Sequence, residues 1–161
     1  MAHLQGQLVC DMVAYEGADH GRVNHFLKVY AYARTIALQE GLDCQQQEIL
    51  ELAAILHDVG IKVSEEKYGS GAGKYQEIEG PPIAREMLQK RGAPLDWIER
   101  ISYLVGHHHT YHDVQGMDYQ ILLEADFLVN IEEGGMPLND KMRSLFKTQA
   151  GKALLRDLFG G

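Results

Sequence analysis

The run Leu52–Gly60, LAAILHDVG, constrains the fold of this chain more than any other stretch. Leu52, Ala53, Ile55, Leu56 and Val59 form an apolar segment that has to be buried, and His57 and Asp58 sit inside it. Both polar groups are therefore expected to point into a cavity rather than into water. A buried carboxylate is costly unless its charge is compensated, and a cation beside a histidine does so well. Taken alone, the pair reads first as a helix-terminal His and Asp capping one another.

The rest of the chain predicts helices and almost no strand. Phe26, Val29, Tyr30, Ala33, Ile36 and Ala37 recur at three- and four-residue steps, which predicts a helix over 23–40 with Gly41 as its stop. Asp43 with Gln46 three residues later reads as a capping box, opening the helix that ends at the His-Asp pair. From Lys62 to Gly80 the periodicity fails, and SEEKYGSGAGKYQEIEG is charged and glycine-rich, so a long loop or mobile lid is expected. Pro81 and Pro82 suit the first turn of the next helix, which stops near Gly92. Asp96 with Glu99 reads as the start of another helix, carrying Trp97, Ile101, Leu104 and Val105 to a histidine cluster. Asp118 reads as the cap of a helix bearing Ile121, Leu122, Ala125, Asp126 and Val129. Two shorter helices over 139–147 and 151–158 follow. Trp97 and Tyr103 are read as core, with self-association as the alternative use of that region. The expected architecture is all-α, a compact helical bundle forming a single domain over 1–161. Its motif-bearing core spans 19–133 and its C-terminal helices fall within 138–158.

At 161 residues the chain can bury a real core. Its net charge of −8 argues against nucleic acid or an anionic membrane as the main partner. A small phosphorylated substrate stays compatible, because a local metal charge can override the global field. Cys10 and Cys44 have no metal-ligand spacing and suit a reducing compartment. With no signal-like opening and no spanning segment, the expectation is a cytoplasmic protein, with homo-oligomers possible.

Four groups stand out by type and placement: His25, His57, Asp58 and Asp126, each on a predicted helix among apolar neighbours. One buried histidine is usually a satisfied core residue. Two histidines and two carboxylates inward on different helices suggest a metal site of the kind helical bundles build from facing helices. The order His25, His57-Asp58, Asp126 resembles the HD-domain metal-dependent phosphohydrolases, with Arg22 three residues before His25, the turn HDVG and the segment ADFLVN in support. The resemblance covers roughly residues 19–133. It implies that His25, His57, Asp58 and Asp126 ligate a divalent metal (Mn, Fe, Co, Ni, Zn or Mg).

Binuclear members of that family carry extra histidines for a second metal that shares the Asp of the pair. In GHHHTYH, His107 and His108 look like two of them, and His109 replaces one if the register shifts by a residue. Where those members carry a further histidine, four residues before a glycine, this chain has Gln76. An amide is a poor transition-metal ligand beside imidazole. Glu77 or Glu79 could take its place, or Gln76 could hold a water. A solvated helix end, where imidazolium meets the negative dipole pole, is the plainer use of the three histidines.

The implied activity is metal-assisted hydrolysis of a nucleotide or other small phosphorylated metabolite. Asp58 or Asp126 would orient water, and His107 or His108 would stabilise the phosphoryl group or protonate the leaving oxygen. Arg22, Lys62 and the lid lysines Lys67 and Lys74 would contact phosphate. Lys62 could equally be a solvated loop charge. The Gly-Tyr-Pro signature of the cyclic-dinucleotide-hydrolysing branch is replaced by HDVQGMDYQ, which argues against that specificity. GSGAGKY resembles a phosphate-binding loop but is one residue short and follows no apolar strand. A non-catalytic nucleotide- or metal-binding module and a di-iron oxygenase are the alternatives.

Overall fold

The computed structural model describes residues 3–160. Among these residues it contains nine helices and no strand: α1 (Leu4–Glu16), α2 (His20–Glu40), α3 (Cys44–Leu56), α4 (Ile61–Tyr68), α5 (Gly73–Lys90), α6 (Leu95–Val105), α7 (Met117–Glu132), α8 (Asp140–Ser144) and α9 (Gln149–Phe159). No described helix is long and apolar enough to cross a membrane.

The centre of the bundle is α3. Its start is held by the Asp43–Gln46 capping box. From Ile49 to Leu56 every residue is buried, because the helix packs against α1, α2, α6 and α7 together. A helix apolar on nearly all sides needs such surroundings, and its one charge in this stretch, Glu51, is met by Arg34 at 3.1 Å. His57 and Asp58 therefore emerge from a helix enclosed on every face. The second enclosed element, α7, is buried from Ile121 to Val129 and packs on both α2 and α3. In α2, Asp19 accepts a hydrogen bond from the Arg22 amide and Gly41 closes the helix in the left-handed conformation. Buried Glu124 takes hydrogen bonds from the amides of Lys147 and Thr148 (2.8 and 3.0 Å) and from the Thr148 hydroxyl (2.6 Å), tying the C-terminal helices to α7.

Several sequence expectations change. The segment expected to be a lid is two helices, α4 and the first half of α5, joined by a short turn at 69–72. Apolar periodicity fails there because α5 buries only Gln76 and Gly80 before Ala84, a polar site taking the place of core. Pro81 and Pro82 lie in the interior of α5 rather than in its first turn. They deprive the carbonyls of Glu77 and Ile78 of the usual amide partners, a cost that tertiary packing has to offset. A Cβ on Gly60 would lie 2.8 Å from the Gly80 amide nitrogen, and one on Gly80 would lie 2.9 Å from Val105 Cγ1. The HDVG turn thus meets α5 backbone to backbone. Pro94 and Gly116, not Asp96 and Asp118, precede α6 and α7. Both aspartates sit in the first turns, and Asp118 is held by Arg100 at 2.6 Å. Trp97 is buried, whereas Tyr103 is 39% exposed. The opening helix α1 was not expected, although Leu4, Leu8 and Met12 recur every four residues on its buried face.

Candidate metal centre

Two helices, α2 and α7, and the turn that follows α3 deliver four donor groups to one point. His25 Nε2 on α2 lies 3.2 Å from His57 Nε2, 3.1 Å from Asp58 Oδ2 and 3.1 Å from Asp126 Oδ1. His57 Nε2 lies 3.4 Å from Asp58 Oδ2 and 3.3 Å from Asp126 Oδ1. The outer ring nitrogens are committed elsewhere. His57 Nδ1 donates to the Ala54 carbonyl at 2.6 Å, and His25 Nδ1 donates to Glu133 Oε1 at 2.8 Å. Such outer hydrogen bonds set the tautomer that turns Nε2 inward as a ligand, and a carboxylate partner makes the imidazole more basic.

The charge environment suits a cation. Burial pulls the His25 imidazole pKa down, but Asp126 and Asp58 outweigh it and raise the value to about 11. Burial pushes the Asp58 carboxyl up, yet His57, His108 and His25 hold it well below the usual carboxylate range. Asp126 is depressed in the same way, by His57 and His25 against its own burial. A field that retains a proton so firmly would also favour a divalent cation among these atoms. His25, His57 and Asp58 offer mutually close ligand atoms, and Asp126 completes a set of two nitrogens and two oxygens. That donor set fits Mn, Fe, Co, Ni or Zn.

The other oxygen of Asp58 faces a second cluster. Asp58 Oδ1 lies 3.4 Å from His108 Nε2, and Asp58, His108 and His109 together could hold an ion. His108 Nδ1 donates to the Val105 carbonyl at 2.8 Å, so its Nε2 is the free ligand atom. Burial, helped by His108, lowers the His109 pKa to about 4 and keeps the ring neutral. Gln76, 5% exposed, donates from Nε2 to the Gly71 carbonyl at 2.7 Å. Its Oε1, His108 Nε2 and His109 Nε2 are buried without hydrogen-bond partners.

Other expected residues are placed differently. Of the alternative registers, His108 and His109 face Asp58. His107 does not: its ring stacks on Tyr103 at 3.9 Å and its Nδ1 meets the Tyr103 carbonyl, because the turn after Val105 swings it outward. Glu77 receives the His109 amide and the Thr110 hydroxyl, so it braces the histidine turn. Glu79 is taken by Lys67 and Tyr68. Lys62 donates to the Tyr15 carbonyl at 3.1 Å and covers the Tyr15 ring, and Lys74 lies exposed over Tyr75. Neither lysine lines the mouth above the first cluster, an open cavity of about 350 Å³ bounded by Arg22, His25, Asp58, Ile61, Asn130 and Glu133. Arg22, which pairs with Glu65 and Asp19, is the one lysine or arginine on that wall. A larger groove between α1 and α5, about 700 Å³, holds none of the cluster residues. Glu133 was missed by sequence reasoning. Its signal is its place seven residues after Asp126, two helical turns along the same face.

The HD-domain family model matches residues 22–145, a span that contains His25, His57, Asp58, Asp126, His108 and His109. No curated protein and no solved structure matches the chain. The match covers most of the sequence and coincides with the side chains gathered at Asp58, so this chain belongs to the HD-domain family, a superfamily of metal-dependent hydrolases.

Proposed function

We propose that the chain is a metal-dependent phosphohydrolase acting on a nucleotide or another small phosphorylated metabolite. The observation that supports it best is the convergence of two imidazole nitrogens and two carboxylate oxygens from α2, α7 and the turn after α3, with both outer imidazole nitrogens already engaged. His25, His57, Asp58 and Asp126 would be the ligands. A divalent cation there would polarise a phosphoryl oxygen and bring the pKa of water towards neutrality. Water then adds to phosphorus, the ester P–O bond breaks, and one proton reaches the leaving oxygen.

The chain's own groups set the rest. Asp126 or Asp58 orients the attacking water by accepting its hydrogen bond. Arg22, on the wall of the mouth, anchors a phosphate oxygen in exchange for its surface carboxylate partners. His107 faces Tyr103, and neither His108 nor His109 lines the mouth, so the proton for the leaving oxygen comes from water there. A cavity of about 350 Å³ suits a small substrate rather than a polymer.

The test uses purified chain stripped of metal, reloaded with Mn2+, Co2+ or Zn2+, and offered phosphomonoesters and mono- and dinucleotides. Metal-dependent turnover that disappears in His25→Ala and Asp126→Ala, with helical content retained, is the expected result. Turnover without metal, or surviving in both variants, contradicts the proposal. A non-catalytic nucleotide-binding module would instead bind a nucleotide tightly and hydrolyse nothing with any metal.

A further inference from the structure

We infer that Gln76 supplies a neutral oxygen ligand to a second cation held with Asp58 Oδ1, His108 and His109, and that this second position is weaker and more exchangeable than the first. The inference rests on the metal-dependent reading above, because the two positions share Asp58. Three atoms carry it: Gln76 Oε1, His108 Nε2 and His109 Nε2 are buried with no hydrogen-bond partner. A buried polar atom left without a partner pays its desolvation in full. A cation shared among them removes all three costs.

The surroundings aim these atoms rather than merely enclosing them. The Gln76 amide nitrogen is fixed on the Gly71 carbonyl at 2.7 Å, which leaves Oε1 as the free end. One turn earlier on α5, a Cβ on Gly73 would lie 2.6 Å from His109 Cγ, so only glycine lets that ring come against the helix. On the other side, the Gln76 carbonyl lies 3.0 Å from the Cβ position of Gly60, two residues after Asp58. Gln76 is thus bracketed by the histidine turn and the HDVG turn. Neither neighbouring glutamate can replace it: Glu77 is bound to the His109 amide and Thr110, and Glu79 to Lys67 and Tyr68.

The donor sets explain the ranking. The first position has Asp126, its own share of Asp58 and two imidazoles. The second has a share of Asp58, one uncharged amide and two imidazoles. It offers less negative charge to a divalent cation, and its amide oxygen suits a hard ion such as Mn2+ better than a soft one.

Mn2+ titration of the metal-stripped full chain, with free Mn2+ read by electron paramagnetic resonance, tests this directly. Two binding classes are expected. Gln76→Ala should weaken the second class by about tenfold or more and leave the first unchanged. Gln76→Glu keeps an oxygen and adds a charge, so it should tighten the second class; it carries the test alone where thermal melting shows that the alanine variant does not fold. A single Mn2+ class in the unaltered chain, or a second class that neither substitution moves, overturns the inference. No turnover is read, so a chain inactive on every phosphoester leaves this proposal standing. His25→Ala reports separately on the first class.

Discussion

The two clusters on either side of Asp58 are built from different materials. His25, His57 and Asp126 come from α2, from the turn that follows α3 and from α7, helices whose other buried residues are mostly apolar. His108, His109 and Gln76 come from the turn after α6 and the start of α5, where glycines rather than large side chains make the contacts. The first cluster concentrates charge and stabilises it internally, its two carboxylates raising the His25 pKa. The second gathers one amide oxygen and two imidazole nitrogens that have no hydrogen-bond partner. A cluster of ion-paired groups keeps its shape by its own attractions, whereas one of unpartnered donors depends on the backbone around it.

Substitutions can separate the two. Asp58→Ala removes the residue common to both and should give the largest effect. Metal content measured by elemental analysis should fall to background, with turnover down by about a thousandfold, equivalent to about 4 kcal/mol. If metal content stayed at the unaltered level, the shared carboxylate would not be a ligand. Glu133→Gln acts on the first cluster alone by weakening the outer support of His25. A tenfold to hundredfold loss of affinity, about 10–100 in Kd, is expected for the tight class only. An equal loss in both classes would break the distinction. Gly73→Ala acts on the second cluster alone, forcing the His109 ring away at a cost of about 1–3 kcal/mol in thermal or urea unfolding. The weak metal class should move with it while the tight class holds. His107→Ala should be nearly silent, within about 0.5 kcal/mol in stability and with unchanged metal stoichiometry. A lost metal equivalent there would return His107 to the site.

The same contrast governs what could be read from the sequence. His57, Asp58, His25 and Asp126 were legible because each interrupts an apolar helical pattern, and a charge in such a place needs a reason. The capping box at Asp43 was legible for its spacing alone. The α4–α5 hairpin was not, since its helices show few apolar side chains to the core: α4 buries only Ile61 and Ser64. Its inward face is polar because it borders the second cluster, and that breaks the signal used to recognise a helix. The histidine register was left open for a related reason. After Val105 the helix gives way to a turn, and only the hydrogen bonds to Tyr103 and Val105 decide that His107 faces out and His108 in. Glu133 went unnoticed because it lies past the apolar stretch of α7, where a glutamate looks like an ordinary solvated charge.

The most direct measurement is a metal-edge anomalous diffraction map from crystals of the full chain grown with Mn2+. The expected result is a strong peak within bonding distance of His25 Nε2, His57 Nε2, Asp58 Oδ2 and Asp126 Oδ1. A map with no peak among those four atoms, in a crystal that binds Mn2+ elsewhere, would contradict the assignment of this cluster as the metal centre.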